Sequence, residues 1–214
     1  MEKKQYIVVA GNIGAGKSTL VELLSRKLNW KAYYEPVGEN PYLKDFYADM
    51  SAWAYHSQMF FLADRLEMHR RLQHYSGSVV QDRSVYEDAN IFARNLARQG
   101  YIDDRDFHTY WKFYELIVEL LGAPDLIVYL EASVPTLKKR IALRGREFEK
   151  EIPASYLEQL NELYDEWIRN WSYCPVLSLD MNRIDVRSNP SDIDRVSERV
   201  IRALSSGQEE LFLP

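Results

Sequence analysis

The sequence predicts an α/β fold in three layers, a five-stranded parallel sheet flanked by helices. Three observations predict it. Five short apolar or β-branched runs, at residues 6–10, 31–35, 78–82, 125–131 and 176–180, alternate with stretches whose apolar residues recur at helical spacing. The run 125–131 is apolar on both faces, as a central parallel strand must be. A glycine-rich turn at 11–19 joins the first strand to the first helix. Alternating strands and helices imply parallel crossovers, and ligands of such sheets bind at the carboxyl ends of the strands.

The elements follow in order. A helix over 20–28 leads to the second strand, which Pro36 stops. The loop 37–41 enters a short helical piece ending near Phe46 and Tyr47, and a long helix covers 52–73. Ser76-Gly77 breaks it before the third strand, and a helix over 88–98 ends at Gly100. Asp103 or Asp104 caps the next helix, which runs to Leu121-Gly122. After the fourth strand come a helix near 135–143, an arginine-rich turn, a helix over 153–171 and the last strand. Ser188-Asn189-Pro190 starts a final helix through Leu204. The expectation is one domain over 1–204, with a lid at about 144–152, and a polar tail at 205–214.

With 214 residues, 46% of them apolar, the chain can bury a sizeable core and is not of disordered composition. The formal charge of −5 argues against a general nucleic-acid or membrane-surface binder. An anionic ligand must then be met by locally grouped Lys and Arg. The lone Cys174 fits a reducing cytosol and reads as small apolar filler. The first apolar stretch is too short for a signal peptide and no run spans a bilayer, so a cytoplasmic protein with no membrane and no nucleic-acid partner is expected. The four His show no metal-ligand spacing.

The turn reads Gly11-Asn12-Ile13-Gly14-Ala15-Gly16-Lys17-Ser18-Thr19, the P-loop pattern. Its glycines let backbone N–H groups converge on phosphate oxygens, and the following helix adds its N-terminal N–H groups. Lys17 should reach the outer phosphates, and the Ser18 hydroxyl should bind Mg²⁺. The bland alternative, a glycine-rich turn that binds nothing, lacks a reason for the complete motif in this context. Glu35, at the end of strand two, is the candidate catalytic carboxylate; a surface acid is the competing reading. Asp82 ends strand three as a Walker-B-like acid for Mg²⁺, and Arg83 follows it; a structural ion pair would explain both.

On the long helix Gln58 and Arg65 share a side, and on the next Asp88 and Phe92 do. Together they make a plausible nucleobase pocket, with a purely structural Arg65–Asp88 salt bridge equally open. Arg140 and Arg144 lie on one face before Gly145, where guanidinium groups could close over a triphosphate; a solvated charged loop is the alternative. The helix containing Phe107, Trp111, Phe113, Leu116 and Leu120 is apolar around most of its circumference. A helix on a sheet needs one apolar stripe, so a second buried face is expected, most simply against another copy of the chain through the 88–98 and 104–121 helices.

These residues resemble the deoxyribonucleoside kinases, in the branch of the deoxycytidine, deoxyguanosine and bacterial deoxyadenosine kinases. The likeness covers nearly the whole chain to Leu204 and rests on residues 11–19, Glu35-Pro36-Val37, Trp53 with Gln58, Asp82-Arg83-Ser84-Val85-Tyr86 and the lid 140–156. It implies a P-loop kinase fold and transfer of the ATP γ-phosphoryl group to a 5′-hydroxyl. By the resemblance, Glu35 takes the proton of that hydroxyl and Arg83 steadies both. Tyr47 and Glu149 would hold the 3′-hydroxyl. Gln58 would hydrogen-bond the base, Phe92 would stack on it, and Trp53 belongs to the same substrate-binding set. Arg144 and Arg146 would close on the phosphates with Arg140. Asp82 stands where many members have Glu. The pair Arg65 and Asp88 marks acceptance of purines and cytosine, and Ser57 stands where some relatives have a large aromatic. The stretches 39–43 and 86–89 match the bacterial deoxyadenosine and deoxyguanosine kinases best, which implies a deoxypurine acceptor, deoxyadenosine first, in nucleotide salvage. Two rivals stand beside this reading: a nucleoside monophosphate kinase of thymidylate type, and a non-catalytic nucleotide switch, whose Asn-Lys-x-Asp motif is absent.

Overall fold

Side-chain alternation along the strands divides the interior into two cores. The computed structural model describes residues 4–34, 40–146, 149 and 152–206. Along β1 (Tyr6–Gly11), Ile7 and Val9 enter one core while Val8 and Ala10 enter the other. β4 (Leu126–Glu131) repeats the pattern, with Leu126, Val128 and Leu130 on the first side and Ile127 and Tyr129 on the second. The first core is closed by Leu20 and Leu24 of α1 (Lys17–Leu28), Leu137 and Ile141 of α7 (Val134–Arg144), and Val196 and Val200 of α9 (Pro190–Ser206). The second is closed by Leu62 of α3 (Met50–His74), Tyr110 and Tyr114 of α6 (Asp104–Leu121), and Leu160 and Tyr164 of α8 (Ala154–Asn170). Full burial of each Leu, Ile or Val side chain contributes about 1.5–3 kcal/mol, so both sheet faces need helical cover.

With β2 (Lys31–Tyr33), β3 (Val79–Asp82) and β5 (Val176–Asp180), the sheet has the order β2-β3-β1-β4-β5 and every pairing is parallel. The expected five-stranded sheet is therefore present. The chain leaves β1 toward β2 and β3, then crosses to β4 and β5, so the crevice at the carboxyl end of β1 is the topological switch point. The P-loop lies there. A small third cluster, Phe46 of α2 (Leu43–Ala48), Ala54 and Leu96, braces the start of α3.

The helix expected at 88–98 differs in detail. A short turn, α4 (Val85–Glu87), passes into a π-helical segment, Asp88–Ala93, and then α5 (Arg94–Arg98). Nearly the whole π segment is buried, and its i→i+5 bonds widen the turn where two site residues stand. On α6, Tyr110, Tyr114 and Ile117 are buried while Phe113, Leu116 and Leu120 are exposed, Leu120 by 73%. The second apolar face read from the sequence thus lies on the surface of this chain. Glu35, the lid positions 147, 148, 150 and 151, and the tail from 207 lie outside the described residues.

Candidate active site

Two cavities open at the carboxyl edge of the sheet, and they meet at the P-loop. The first, of about 300 Å³, is lined by Tyr47, Gln58, Asp82, Arg83, Asp88, Phe92 and Glu149 among others. The second, of about 780 Å³, runs along Gly14, Gly16, Thr19, Lys139 and Arg140 to the segment 181–188. Lys17, Ser18, Arg144 and Arg146 line both. A polar, aromatic chamber and a basic trough therefore share one wall of cationic and hydroxyl groups.

The P-loop owes its shape to glycines at two positions above all. Gly11 has φ +149°, and a Cβ there would meet the Leu130 carbonyl oxygen at 2.9 Å. Gly14, at φ +82°, approaches the Leu137 carbonyl oxygen equally closely. Within the loop the Lys17 ammonium donates to the carbonyls of Gly11 (2.7 Å) and Asn12 (2.9 Å). The Asn12 amide donates to the Leu157 carbonyl and to Asn161 Oδ1, which ties the loop to α8. Ile13 and Ala15 pack the loop against the core. Arg140 donates to the carbonyls of Ala15 (2.8 Å) and Met181 (2.9 Å), so it braces the loop from the trough side.

Strand β3 ends at the wall of the first cavity. The Ser18 hydroxyl donates to Asp82 Oδ2 at 2.5 Å, while the buried Asp82 Oδ1 has no hydrogen-bond partner among the described residues. That orphaned oxygen beside a P-loop serine is a donor set suited to a hard cation that takes its remaining ligands from phosphate and water. Three-residue clusters of His, Cys, Asp or Glu able to hold a metal are absent among the described residues. Arg83 adopts φ +62°, uncommon for a side-chain-bearing residue, and its N–H donates to the Val9 carbonyl at 3.1 Å. Its guanidinium stacks over the Phe92 ring, 4.3 Å from the centroid.

Behind the chamber wall, Arg65 Nε donates at 2.6 Å to Oδ2 of Asp88, which lines the chamber, both side chains almost fully buried. Gln58 is 4% exposed and its Oε1 has no hydrogen-bond partner among the described residues, an unmet acceptor at the chamber wall. Beside it, the Asn40 amide donates to Ser57 Oγ at 3.1 Å and fixes the small residue of that wall. At the mouth, Arg144 and Arg146 both bind the buried Glu149 carboxylate, Arg146 at 3.2 Å.

The structure brings the described candidates to the P-loop and its two cavities, except Arg65, which stands behind Asp88, and Trp53. Trp53 stacks on Tyr42 at 5.8 Å in the third cluster and does not line the chamber. Sequence reading missed Tyr34 and Tyr156, which line the chamber, and the trough segment 181–188, whose residues carry no motif. Tyr156 ends the lid stretch 140–156 and stands in the first turn of α8, the one signal that could have found it.

Comparison with known proteins bears directly on this arrangement. The family described as "Deoxynucleoside kinase" matches residues 7–205. The deoxyadenosine/deoxycytidine kinase of Bacillus subtilis is 36% identical over 210 residues, 97% of each chain. The deoxyguanosine kinase of the same organism is 35% identical, covering 94% of this chain and 98% of its own. Among solved structures, a deoxyadenosine kinase from M. mycoides with the products dCMP and a flexible dCDP bound superposes with a TM-score of 0.83, at 31% identity, over 92% of this chain and all of the other.

Proposed function

We infer the finer chemistry from one premise: this chain belongs to the deoxynucleoside kinase family and is an ATP-dependent deoxynucleoside kinase. The monophosphate-kinase and switch readings give way to that match. The observation that carries the rest is the meeting of the two cavities at Lys17 and Ser18. The trough takes the ATP triphosphate along the P-loop, and the chamber takes the deoxynucleoside with its 5′-hydroxyl toward the shared wall. A loose phosphoryl-transfer transition state asks for positioning and charge neutralisation, which Lys17, Arg83, Arg144 and Arg146 supply. Glu35 is assigned as the base that takes the 5′-hydroxyl proton. Glu149 and Tyr47 hold the 3′-hydroxyl.

Ser18 and Asp82 are the residues that would hold Mg²⁺, which when bound would supply charge neutralisation for the phosphates. For the base, the unmet Gln58 oxygen accepts from an exocyclic N–H, and Phe92 gives an apolar face. The small Ser57 leaves room for a purine, so deoxyadenosine is the proposed preferred acceptor, with deoxyguanosine and deoxycytidine as the family's other choices. A second copy covers Phe113, Leu116 and Leu120, making a homodimer. Helices long and apolar enough to cross a membrane are absent among the described residues, and a cytoplasmic setting remains part of the proposal. The test is a phosphorylation screen with ATP over the four natural deoxynucleosides and their monophosphates. Deoxyadenosine should give the highest kcat/KM; thymidine outrunning it would overturn the base assignment.

A further inference from the structure

Glu87 is fully buried beneath the P-loop, with its Oε1 4.0 Å from Arg83 Nε. Its Oε1 accepts from the Gly11 N–H at 3.2 Å, and its Oε2 accepts from the Ser84 N–H at 3.1 Å. The Tyr164 hydroxyl lies 2.8 Å from both Glu87 Oε1 and the Gly11 carbonyl oxygen. Tyr164 is itself held by Tyr129, their rings stacked at 5.6 Å. The two peptide groups of the loop's first glycine are therefore gripped by side chains from two different helical segments. Lys17 is the third grip, on the same carbonyl.

That arrangement has a consequence for ATP binding. Lys17 must leave the Gly11 carbonyl to reach phosphate, and a buried carbonyl that loses its donor is destabilised. Tyr164 has one hydroxyl proton and two acceptors within reach, so it can turn that proton to the carbonyl as Lys17 departs. We propose that Glu87 and Tyr164 are positioning residues for the P-loop, which keep the Gly11 peptide in place while Lys17 transfers to the triphosphate. Glu87 holds the N–H throughout, and Tyr164 replaces Lys17 at the carbonyl. Burial pushes the Glu87 carboxyl up to about 7, against the lowering influence of Arg83, Lys17, Tyr164 and the Gly11 N–H. A carboxyl that readily takes a proton can return one hydrogen bond to Tyr164 when the hydroxyl turns away.

The inference rests on the kinase reading, and two variants test it separately. Tyr164→Phe keeps the ring and removes only the hydroxyl. Its KM for ATP should rise about tenfold, the scale of one hydrogen bond (~1.4 kcal/mol), with the KM for the deoxynucleoside within about twofold of wild type. Equilibrium titration of the enzyme with ATP alone should show the same loss. Glu87→Gln, whose amide can accept from only one of the two N–H groups, should shift ATP affinity in the same direction. A merely structural role would lower Tm without splitting the two KM values. ATP binding to Tyr164→Phe at wild-type strength, or a parallel rise of both KM values, would overturn the proposal, whether or not Glu87→Gln folds. Wild-type enzyme that binds ATP but phosphorylates no deoxynucleoside would sink the kinase reading alone, since the titration still decides the roles of Glu87 and Tyr164.

Discussion

Replacing both Arg65 and Asp88 should cost less stability than replacing either one. The pair lies 2.6 Å apart with side chains 1% and 3% exposed. At an effective dielectric of about 20 the gross attraction at that distance is ~6 kcal/mol, most of which offsets the desolvation of two ions. Arg65→Met leaves a buried carboxylate without its guanidinium, and Asp88→Leu leaves a buried guanidinium without its carboxylate. Each single change should cost about 3–5 kcal/mol, the usual penalty of breaking a buried ion pair from one side. For a chain of this length that is a Tm loss of roughly 6–20 °C, at about 2–4 °C per kcal/mol. The double variant should lie within ~1 kcal/mol of wild type, because neither charge is then stranded. Urea melts of the three variants read the stabilities. The double variant also decides the chemistry, since it folds without the pair. Its kcat/KM should fall for deoxyadenosine and rise for thymidine. Stability losses that simply add would refute the electrostatic reasoning. A stable double variant still selective for deoxyadenosine would show the ion pair to be structural only.

Four further outcomes are expected. Glu35→Gln should lower kcat about 100-fold with little change in either KM, the scale of general-base catalysis; turnover at the wild-type rate removes Glu35 from the chemistry. Glu149→Ala releases Arg144 and Arg146 from their shared carboxylate and should raise the deoxynucleoside KM about tenfold, and unchanged steady-state kinetics would take it out of the sugar site. The Glu87 carboxyl, raised from 4.5 to about 7 by burial, binds its proton more tightly folded than unfolded. Its contribution is thus fully present below pH 4.5 and lost as pH rises through 7, so denaturation free energies should decline across that window and Glu87→Gln should flatten the decline. If the two pH curves run parallel, the raised affinity for protons is not located at Glu87. Leu116→Glu with Leu120→Glu places charge on the exposed stripe of α6 and should convert a sedimenting dimer to monomers, whereas a wild-type chain that sediments as a monomer would dispose of the dimer.

What the sequence made legible follows from which interactions are local. Strand runs, helix periodicity and the P-loop spacing depend on neighbours a few positions apart, and β1, β4 and the loop emerged within a residue or so of expectation. The second strand, expected over 31–35, spans Lys31–Tyr33, with Tyr34 outside it and Glu35 beyond the described residues. The π-helical segment was not legible, because replacing i→i+4 by i→i+5 bonds leaves no mark on composition and is settled by burial on every side. Trp53 was placed in the substrate set with its neighbour Gln58, yet five positions along a helix turn it to another side, where Tyr42 stacks on it. Tyr164 and the segment 181–188 were invisible for a different reason. Each meets the P-loop only through the fold, from more than a hundred positions away, and neither carries a pattern of its own.

The lid shows how such long-range pairing changes the meaning of a residue that was legible. Arg144 and Arg146 read as phosphate clamps, and Glu149 as a sugar ligand, yet here both arginines sit on that one carboxylate. Three groups assigned to two ligands therefore compose one cluster, two cations on one carboxylate, at the boundary of the two cavities. A triphosphate would offer the guanidinium groups more negative charge than Glu149 does, so on the proposed roles its arrival would draw them toward the trough and leave the Glu149 carboxylate with accepting capacity to spare. A sugar hydroxyl in the chamber is the donor that can use it. On this geometry the two substrates assist each other through a shared set of hydrogen bonds: ATP should bind more tightly in the presence of the deoxynucleoside, and reciprocally by linkage. That coupling requires no movement of the sheet or of the P-loop, only an exchange of partners among Arg144, Arg146 and Glu149.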